Sequence, residues 1–393
     1  MGVHTKIGAE PSNSGEQDVK AVMLVGGLGT RLRPLTLDTK KELMPVANRP
    51  FLEHVLANLA RHGVDEAILT TGYLAEAFED FPEERTHGVR LVIVRESEPL
   101  DTCGAVKNVE RHIDGTFLVL NGDILTGLDI SSLVRFHRER ETLGTLTLHP
   151  VEDPSAYGLV PIDEDGRIER FIEKPRPEEI VTNLINAGTY VLEPEILDYV
   201  PAGVPYSFER VREGGLFPLL LAEGEALYGY VSNEYWLDIG TPEKYVKANR
   251  DVVEGLVGID PAGVREGGRV WLGRGVDIDE SALVQGPCVV GDGTTIGRGA
   301  TVGPRSCVGN DCRIGEGATI AESVLHDGVE VASEAAIRGS VLARGVRIGA
   351  GTIAEGAILG SGVHVGASNE LRPGIRVWSG VDIPDRGITF SSK

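Results

Sequence analysis

Positive charge is scarce in this chain: 38 Lys and Arg residues stand against 59 Asp and Glu, for a formal net charge of −21. That balance excludes a broad phosphate-backbone footprint, so no nucleic-acid partner is expected. Cysteine is scarce as well. Cys103, Cys288, Cys307 and Cys312 form no C-x-x-C pair and have no nearby histidine at zinc spacing. The expectation is reduced core residues in a cytoplasmic protein. No apolar run reaches the roughly 18 residues that a membrane span needs. Residues 1–18 lack the apolar centre of a signal peptide and read as a disordered tail. Glycine breaks the pattern of scarcity: 51 of 393 residues is an excess that needs a local cause. Otherwise 41% hydrophobic and 25% charged residues describe a globular protein of about two or three domains.

Two kinds of pattern divide the chain. Val19–Val25 is an apolar run that ends at Gly26-Gly27, as a buried parallel strand entering a glycine turn would. Phe51–His62 has helical periodicity and stops at Gly63; strands are expected at 66–70, 89–94 and 117–120, the last ending at Asn121-Gly122-Asp123. Strands alternating with helices predict a Rossmann-like, doubly wound α/β domain. Ligands of such sheets sit beyond the carboxyl ends of the strands, so Gly26-Gly27 and Asn121-Gly122-Asp123 should border one cleft. Further strands are expected at 146–149 and 189–192, in a half that should cover the cleft and hold the second substrate. From Leu272 through Ile278, Val284, Val290, Ile296, Val302, Val308 and Ile314 to Ile320 the apolar residues fall six apart, and Gly273, Gly291, Gly297, Gly303, Gly309 and Gly315 follow directly. A period of six is the signature of a hexapeptide parallel β-helix, left-handed in the expected fold class, and its corners explain the glycine. Ser323-Val324-Leu325, Ser340-Val341-Leu342 and Ala357-Ile358-Leu359 then repeat at 17 residues, a three-hexad coil with one residue deleted. The expected divisions are a tail at 1–18, a catalytic domain at 19–250, a linker at 251–268 and a β-helix at 269–393.

The run Gly26-Gly27-Leu28-Gly29-Thr30-Arg31-Leu32-Arg33-Pro34 is neither a P-loop nor a dinucleotide fingerprint. Its glycines let backbone N–H groups close on phosphate oxygens, and its arginines add charged donors. Lys41 follows ten residues after Arg31, in Lys40-Lys41-Glu42-Leu43-Met44-Pro45-Val46. From Gly26 to Pro50 the string resembles the signature of the sugar nucleotidylyltransferase superfamily. Glu98-Pro99-Leu100-Asp101-Thr102-Cys103-Gly104-Ala105 is similar to the family's base-binding segment, and Asn121-Gly122-Asp123 to its metal-binding strand end. Tyr157-Gly158, Glu173-Lys174-Pro175, Asn186-Ala187-Gly188 and Trp236-Leu237-Asp238-Ile239-Gly240-Thr241-Pro242 follow in family order, with phrases closest to the bacterial mannose-1-phosphate guanylyltransferase branch.

The resemblance implies attack of a sugar phosphate oxygen on the α-phosphorus of a nucleoside triphosphate, with pyrophosphate leaving in line. Such chemistry asks a protein for positioning and charge neutralisation. The resemblance places Gly26, Gly27, Gly29, Thr30, Arg31, Lys41, Pro99, Thr102, Gly104 and Gly122 on the nucleotide. It gives Arg31, Lys41 and Asp123 catalytic roles, and assigns Mg²⁺ to Asp123 and Asp238. Gly158, Glu173, Lys174 and Asn186 fall to the sugar phosphate, and Trp236 is either a core residue or a contact. Asp101 and Cys103 stand where the family has Gly and Ala. An acidic residue there can accept from a guanine or point outward as a loop cap. GTP and mannose 1-phosphate are the leading substrates. The alternatives are glucose 1-phosphate or a cyclitol phosphate with UTP, dTTP or ATP, a regulatory subunit without catalysis, and an acyltransferase tail using His326 or His364. The tail is expected to pack on itself or a partner, giving a homo-oligomer.

Overall fold

The computed structural model describes residues 3–5, 19–72, 74–173, 175–210 and 214–390. They form two compact units, one of residues 1–27 and 52–236, the other of 28–51 and 237–393.

The first unit is built on an eight-stranded mixed sheet. Its strands are β1 (Val3–Thr5), β2 (Lys20–Leu24), β3 (Glu66–Thr71), β4 (Arg90–Arg95), β5 (Phe117–Asn121), β6 (Gly144–Pro150), β7 (Leu184–Leu192) and β8 (Leu227–Val231), in the order β1-β4-β3-β2-β5-β7-β6-β8. β4, β3, β2 and β5 run parallel, and β2 lies central with Ala21, Val22 and Met23 buried. An unbroken apolar run is what a strand covered on both faces requires. β7 pairs antiparallel with β5 and with β6, which extends the sheet. Each strand expected from the sequence is present within two residues or so at its start, apart from β7, which begins at Leu184 rather than Thr189. Helix α1 (Phe51–Arg61) stops before Gly63, whose φ of 76° is a conformation glycine adopts without a Cβ penalty. β1 falls inside the expected disordered tail, where it pairs antiparallel with β4; residues 6–18 of that tail lie outside the described residues.

The second unit is a three-sided parallel β-helix. Among the described residues, short parallel strands stack into faces of seven, seven and six, and Val264–Glu266 adds an antiparallel strand to the first. Coils of 18 residues join Thr295 to Arg313, and coils of 17 join Arg313 to Glu330 and Glu330 to Arg347. The deletion seen in the sequence falls at one corner. Thr301 and Cys307, six apart, pair with Thr319 and Val324, five apart. The shortened corners hold buried serines: Ser340 N donates to Ser323 Oγ at 3.2 Å, and Ala357 N to Ser340 Oγ at 3.0 Å. Buried polar groups are thereby paired up the stack. Val290, Ile296, Val302, Val308, Ile314 and Ile320 all enter one apolar core.

The segment 28–51, placed by sequence within residues 19–250, groups with the repeats. Asn48 Nδ2 donates to Val308 O at 2.6 Å, Ala47 N to Asn249 Oδ1 at 2.8 Å and Arg49 Nε to Asp260 O at 3.2 Å. Asn249 lies on helix α3 (Pro242–Val253), within which Tyr245 donates to Pro45 O and pairs with His326 Nε2 at 3.0 Å.

Candidate active site

In the sheet unit, the carboxyl ends of the neighbouring parallel strands β2 and β5 bring two sequence motifs side by side. Gly122 N donates to Leu24 O at 3.1 Å, and a Cβ on Gly122 would stand 2.6 Å from the same oxygen. Only glycine fits there, which places Asp123 beside the start of the Gly26-Gly27 turn; Asp123 is half-buried between β5 and the strand Ile124–Thr126. A Cβ on Gly26 would come within 3.4 Å of Glu96 Oε1, while Leu100 N donates to Glu96 Oε2 at 3.2 Å. Glu96 was missed from sequence; its nearness to the glycine turn depends on pairing between strands distant in the chain.

Helix α2 (Asp101–Asn108) carries the segment likened to a base site. Cys103 N and Gly104 N both donate to Tyr206 O at 2.9 Å, and Phe208 N donates to Thr102 Oγ1 at 3.1 Å. Residues 204–208 lie so close that a Cβ on Gly104 would stand 2.7 Å from Val204 O. Thr102 and Gly104 thus hold a neighbouring segment, and Pro99 is exposed. Asp101, which opens this helix, accepts through Oδ1 from Thr102 N at 2.7 Å and faces Arg210 Nη2 with Oδ2 at 3.1 Å.

Gly158, Glu173 and Asn186 line one pocket with Glu209. Lys174 lies outside the described residues. Asn186 is held from both ends of its amide, Nδ2 donating to Tyr190 Oη at 2.9 Å and Oδ1 accepting from Gly188 N at 3.0 Å. Tyr190 donates in turn to Glu209 Oε1 at 2.8 Å. Burial raises the Glu209 carboxyl above its ordinary range, and the charge of Glu173 adds to that, against the Tyr190 hydrogen bond. Glu209 is a further pocket residue that sequence reasoning left unassigned; its signal was the Ser207-Phe208-Glu209-Arg210 string. Trp236 donates from Nε1 to Ala187 O at 2.9 Å and stacks on His149 at 5.5 Å between ring centroids.

In the repeat unit, Gly29 takes φ 59° and turns the chain into the short helix Thr30–Leu32, which leaves Arg31 exposed. Thr36 Oγ1 closes this turn on Gly29 O at 2.7 Å. Lys41 Nζ lies 3.8 Å from Glu42 Oε1, and Glu42 is fully buried. Asp238 Oδ1 accepts from Gly240 N at 2.8 Å and Oδ2 from Lys244 Nζ at 3.1 Å. A Cβ on Gly240 would stand 2.5 Å from Arg31 Nη2 and 2.8 Å from Asp238 Oδ1. The missing side chain at Gly240 is what lets the Arg31 guanidinium settle beside Asp238.

Carboxylate oxygens of Asp123 and Asp238 are hard donors suited to Mg²⁺. Among the described residues no group of three or more His, Cys, Asp or Glu side chains makes a complete protein cage for a metal. Mg²⁺ characteristically completes its octahedron with substrate phosphates and water, so each of these carboxylates, taken singly, is a fitting donor for that ion. His326 is tied to Tyr245 and His364 Nδ1 lies 3.4 Å from Asp382 Oδ1, so each candidate base of an acyl transfer has a local partner. No helix of the described residues is long and apolar enough to cross a membrane.

Residues 20–255 match the family model for nucleotidyl transferases, and residues 267–371 match that of the EIF2B subunit epsilon LbH domain, a left-handed β-helix. The chain is 44% identical over 377 residues to a mannose-1-phosphate guanylyltransferase of Mycobacterium tuberculosis, covering 95% of this chain and 98% of that protein. It is 32% identical over 295 residues to a UTP–glucose-1-phosphate uridylyltransferase of Synechocystis, covering 71% of this chain and 75% of that one. Among solved structures it resembles HddC from Yersinia pseudotuberculosis complexed with GMP-PN, at 31% identity and a TM-score of 0.51, over 59% of this chain and 99% of the other.

Proposed function

We propose, for a chain that belongs to the nucleotidyl transferase family and carries out sugar-1-phosphate nucleotidyl transfer, that the substrates are GTP and mannose 1-phosphate and the products GDP-mannose and pyrophosphate. The observation that carries the choice of pair is the 44% identity to the mycobacterial guanylyltransferase over 95% of this chain. The pocket lined by Gly158, Glu173, Asn186 and Glu209 supports a polyhydroxylated ligand, because two carboxylates and an oriented amide give several hydrogen bonds to hydroxyls. Lys174 is assigned to the sugar phosphate by its motif alone.

In this reading the sugar phosphate oxygen forms a bond to the α-phosphorus as the bond to the departing pyrophosphate breaks. Arg31 and Lys41 hold the triphosphate and stabilise charge that develops on the leaving group. Gly26, Gly27, Gly29 and Thr30 offer backbone N–H groups to phosphate oxygens, with Gly122 leaving them room. Pro99, Thr102 and Gly104 are assigned to the base side. Asp123 and Asp238 would hold Mg²⁺, which when bound neutralises phosphate charge and polarises the phosphoryl group. Four buried, unbridged cysteines support a reducing compartment, the cytoplasm. The proposal includes a homo-oligomer; a monomer by light scattering at assay concentration overturns that part.

A screen of pyrophosphate release, with four nucleoside triphosphates against several sugar 1-phosphates, tests the pair. The likeness to the Synechocystis uridylyltransferase makes UTP with glucose 1-phosphate the second reading, and turnover restricted to it replaces the first. Within the assay, Arg31→Ala and Lys41→Ala each lower turnover by about 10²-fold or more with the fold intact, the scale of losing one preorganised charged donor. Asp123→Asn and Asp238→Asn each raise the Mg²⁺ needed for half-maximal rate. Wild-type metal titrations in both variants refute the metal assignment.

A further inference from the structure

The turn that carries Arg31 leaves two carbonyls over. Inside it the carbonyls of Gly29, Thr30, Leu32 and Pro34 accept backbone N–H groups at 3.0 to 3.3 Å. Those of Arg31 and Arg33 both accept from Nη1 of Arg376, each at 3.2 Å. Arg376 opens the strand Arg376–Val377, the last on its face of the β-helix. Its Nη2 lies 3.9 Å from Glu243 Oε1, in the first turn of α3, directly after the Asp238–Thr241 turn. Two residues beyond Val377, Ser379 Oγ donates to Asp38 Oδ2 at 3.2 Å. A guanidinium is suited to this place, since its planar fork of donors can serve two carbonyls and a carboxylate together. Both bonds are exposed, so water can serve the carbonyls as well; what Arg376 adds is a fixed link from the coil to this turn, which the turn's own backbone does not supply.

We propose that Arg376 is a positioning residue for nucleotidyl transfer: the last coils of the repeat fix the Arg31 turn from outside, so that the Arg31 guanidinium is held beside Asp238 in one geometry. The inference rests on the reading that Arg31 engages the triphosphate. It gives the β-helix a direct part in the reaction through a residue that touches neither substrate.

The test compares Arg376→Ala, Arg376→Lys and Arg376→Gly in the full chain, with the substrate pair that the screen selects. Arg376→Ala should lower kcat/KM for the nucleotide by about 10- to 100-fold, the scale of a misplaced catalytic group, while KM for the sugar phosphate is unchanged. Arg376→Lys, with one ammonium for two carbonyls, should recover only part. Added guanidinium ion should restore part of the rate lost in Arg376→Gly without raising its melting temperature, which a merely stabilising role would not give. Arg347→Ala, an exposed arginine 3.7 Å from Glu330 Oε2, should leave all constants unchanged. Thermal unfolding of each variant separates misfolding from mispositioning, and Arg376→Lys carries the test if the alanine variant does not fold. Wild-type constants in Arg376→Ala, or an equal loss in Arg347→Ala, overturn the proposal. Arg31→Ala separates the two readings. Normal turnover there removes the role of Arg31 itself, whereas a crippled Arg31→Ala beside a normal Arg376→Ala removes the positioning alone.

Discussion

Glycines at the coil corners and glycines in the outer strands of the sheet are crowded by different neighbours. In the repeat unit a Cβ on Gly273 would stand 2.4 Å from Asp292 N, and one on Gly291 would stand 2.5 Å from Gly309 C. Both meet the backbone of the next coil, which is fixed by the spacing of stacked strands at about 4.8 Å. In the outer strands of the sheet unit, a Cβ on Gly144 would meet Leu192 Cδ2 at 3.1 Å and one on Gly229 would meet Leu148 Cδ1 at 2.4 Å. Those are tips of side chains with other rotamers. At Gly273 and Gly291 the coil corner therefore leaves no room for a side chain, although His326 and Ala343 take the equivalent place in later coils, whereas the outer strands of the sheet let neighbours share the adjustment.

The sharpest way to break this comparison is to remove the repeats. Deletion of residues 256–393 takes away the partners of Asn48 and the Arg376 bridge to the Arg31 turn. Turnover should fall by at least about 100-fold even if circular dichroism shows the sheet intact. Full activity in the shortened chain would mean that residues 28–51 hold their shape without the coils. A finer comparison sets Gly291→Ala against Gly229→Ala. The first should cost roughly 3 kcal/mol and the second about 1 kcal/mol, because backbone cannot yield where a leucine tip can. Equal losses in denaturant unfolding would erase the distinction between coil corner and outer strand.

The remaining effect is on pH. Burial lowers His326 from 6.5 to about 4, with Asp327 opposing. The unfolded chain then takes up a proton near pH 6.5 that the folded chain refuses until about pH 4, so stability is full above that window and declines as pH falls through it. The full shift corresponds to roughly 3 kcal/mol, and partial solvent contact reduces this to about 2 kcal/mol. His326→Gln should flatten the decline in thermal unfolding between neutral pH and the lower limit. An unaltered pH profile in that variant would show that another group controls it.

Much of this was readable in the sequence because it is local or periodic. Val290, Val308 and Ile314 announce the coil by spacing alone, and each contacts its equivalents one coil away. The same holds for the run that became β2. What escaped depends on distance along the chain. Nothing near Arg31 signals that two of its turn's carbonyls accept from Arg376. Glu96 and Glu209 gain their meaning only from strand pairing and from the Tyr190 hydroxyl. The Arg210 partner of Asp101, 109 positions away, is likewise invisible in the sequence.

The contacts of the 28–51 segment also turn the β-helix into a ruler. Asn48 is fastened at Val308 and Arg31 at Arg376, four strand steps apart on the same face. At about 4.8 Å per step that is roughly 19 Å. Gain or loss of a whole coil between these marks would leave every repeat well packed yet carry the arginine one step out of reach. The number of coils in this stretch is therefore measured by the loop that lies along it, and cannot drift as freely as an open-ended stack of repeats otherwise could.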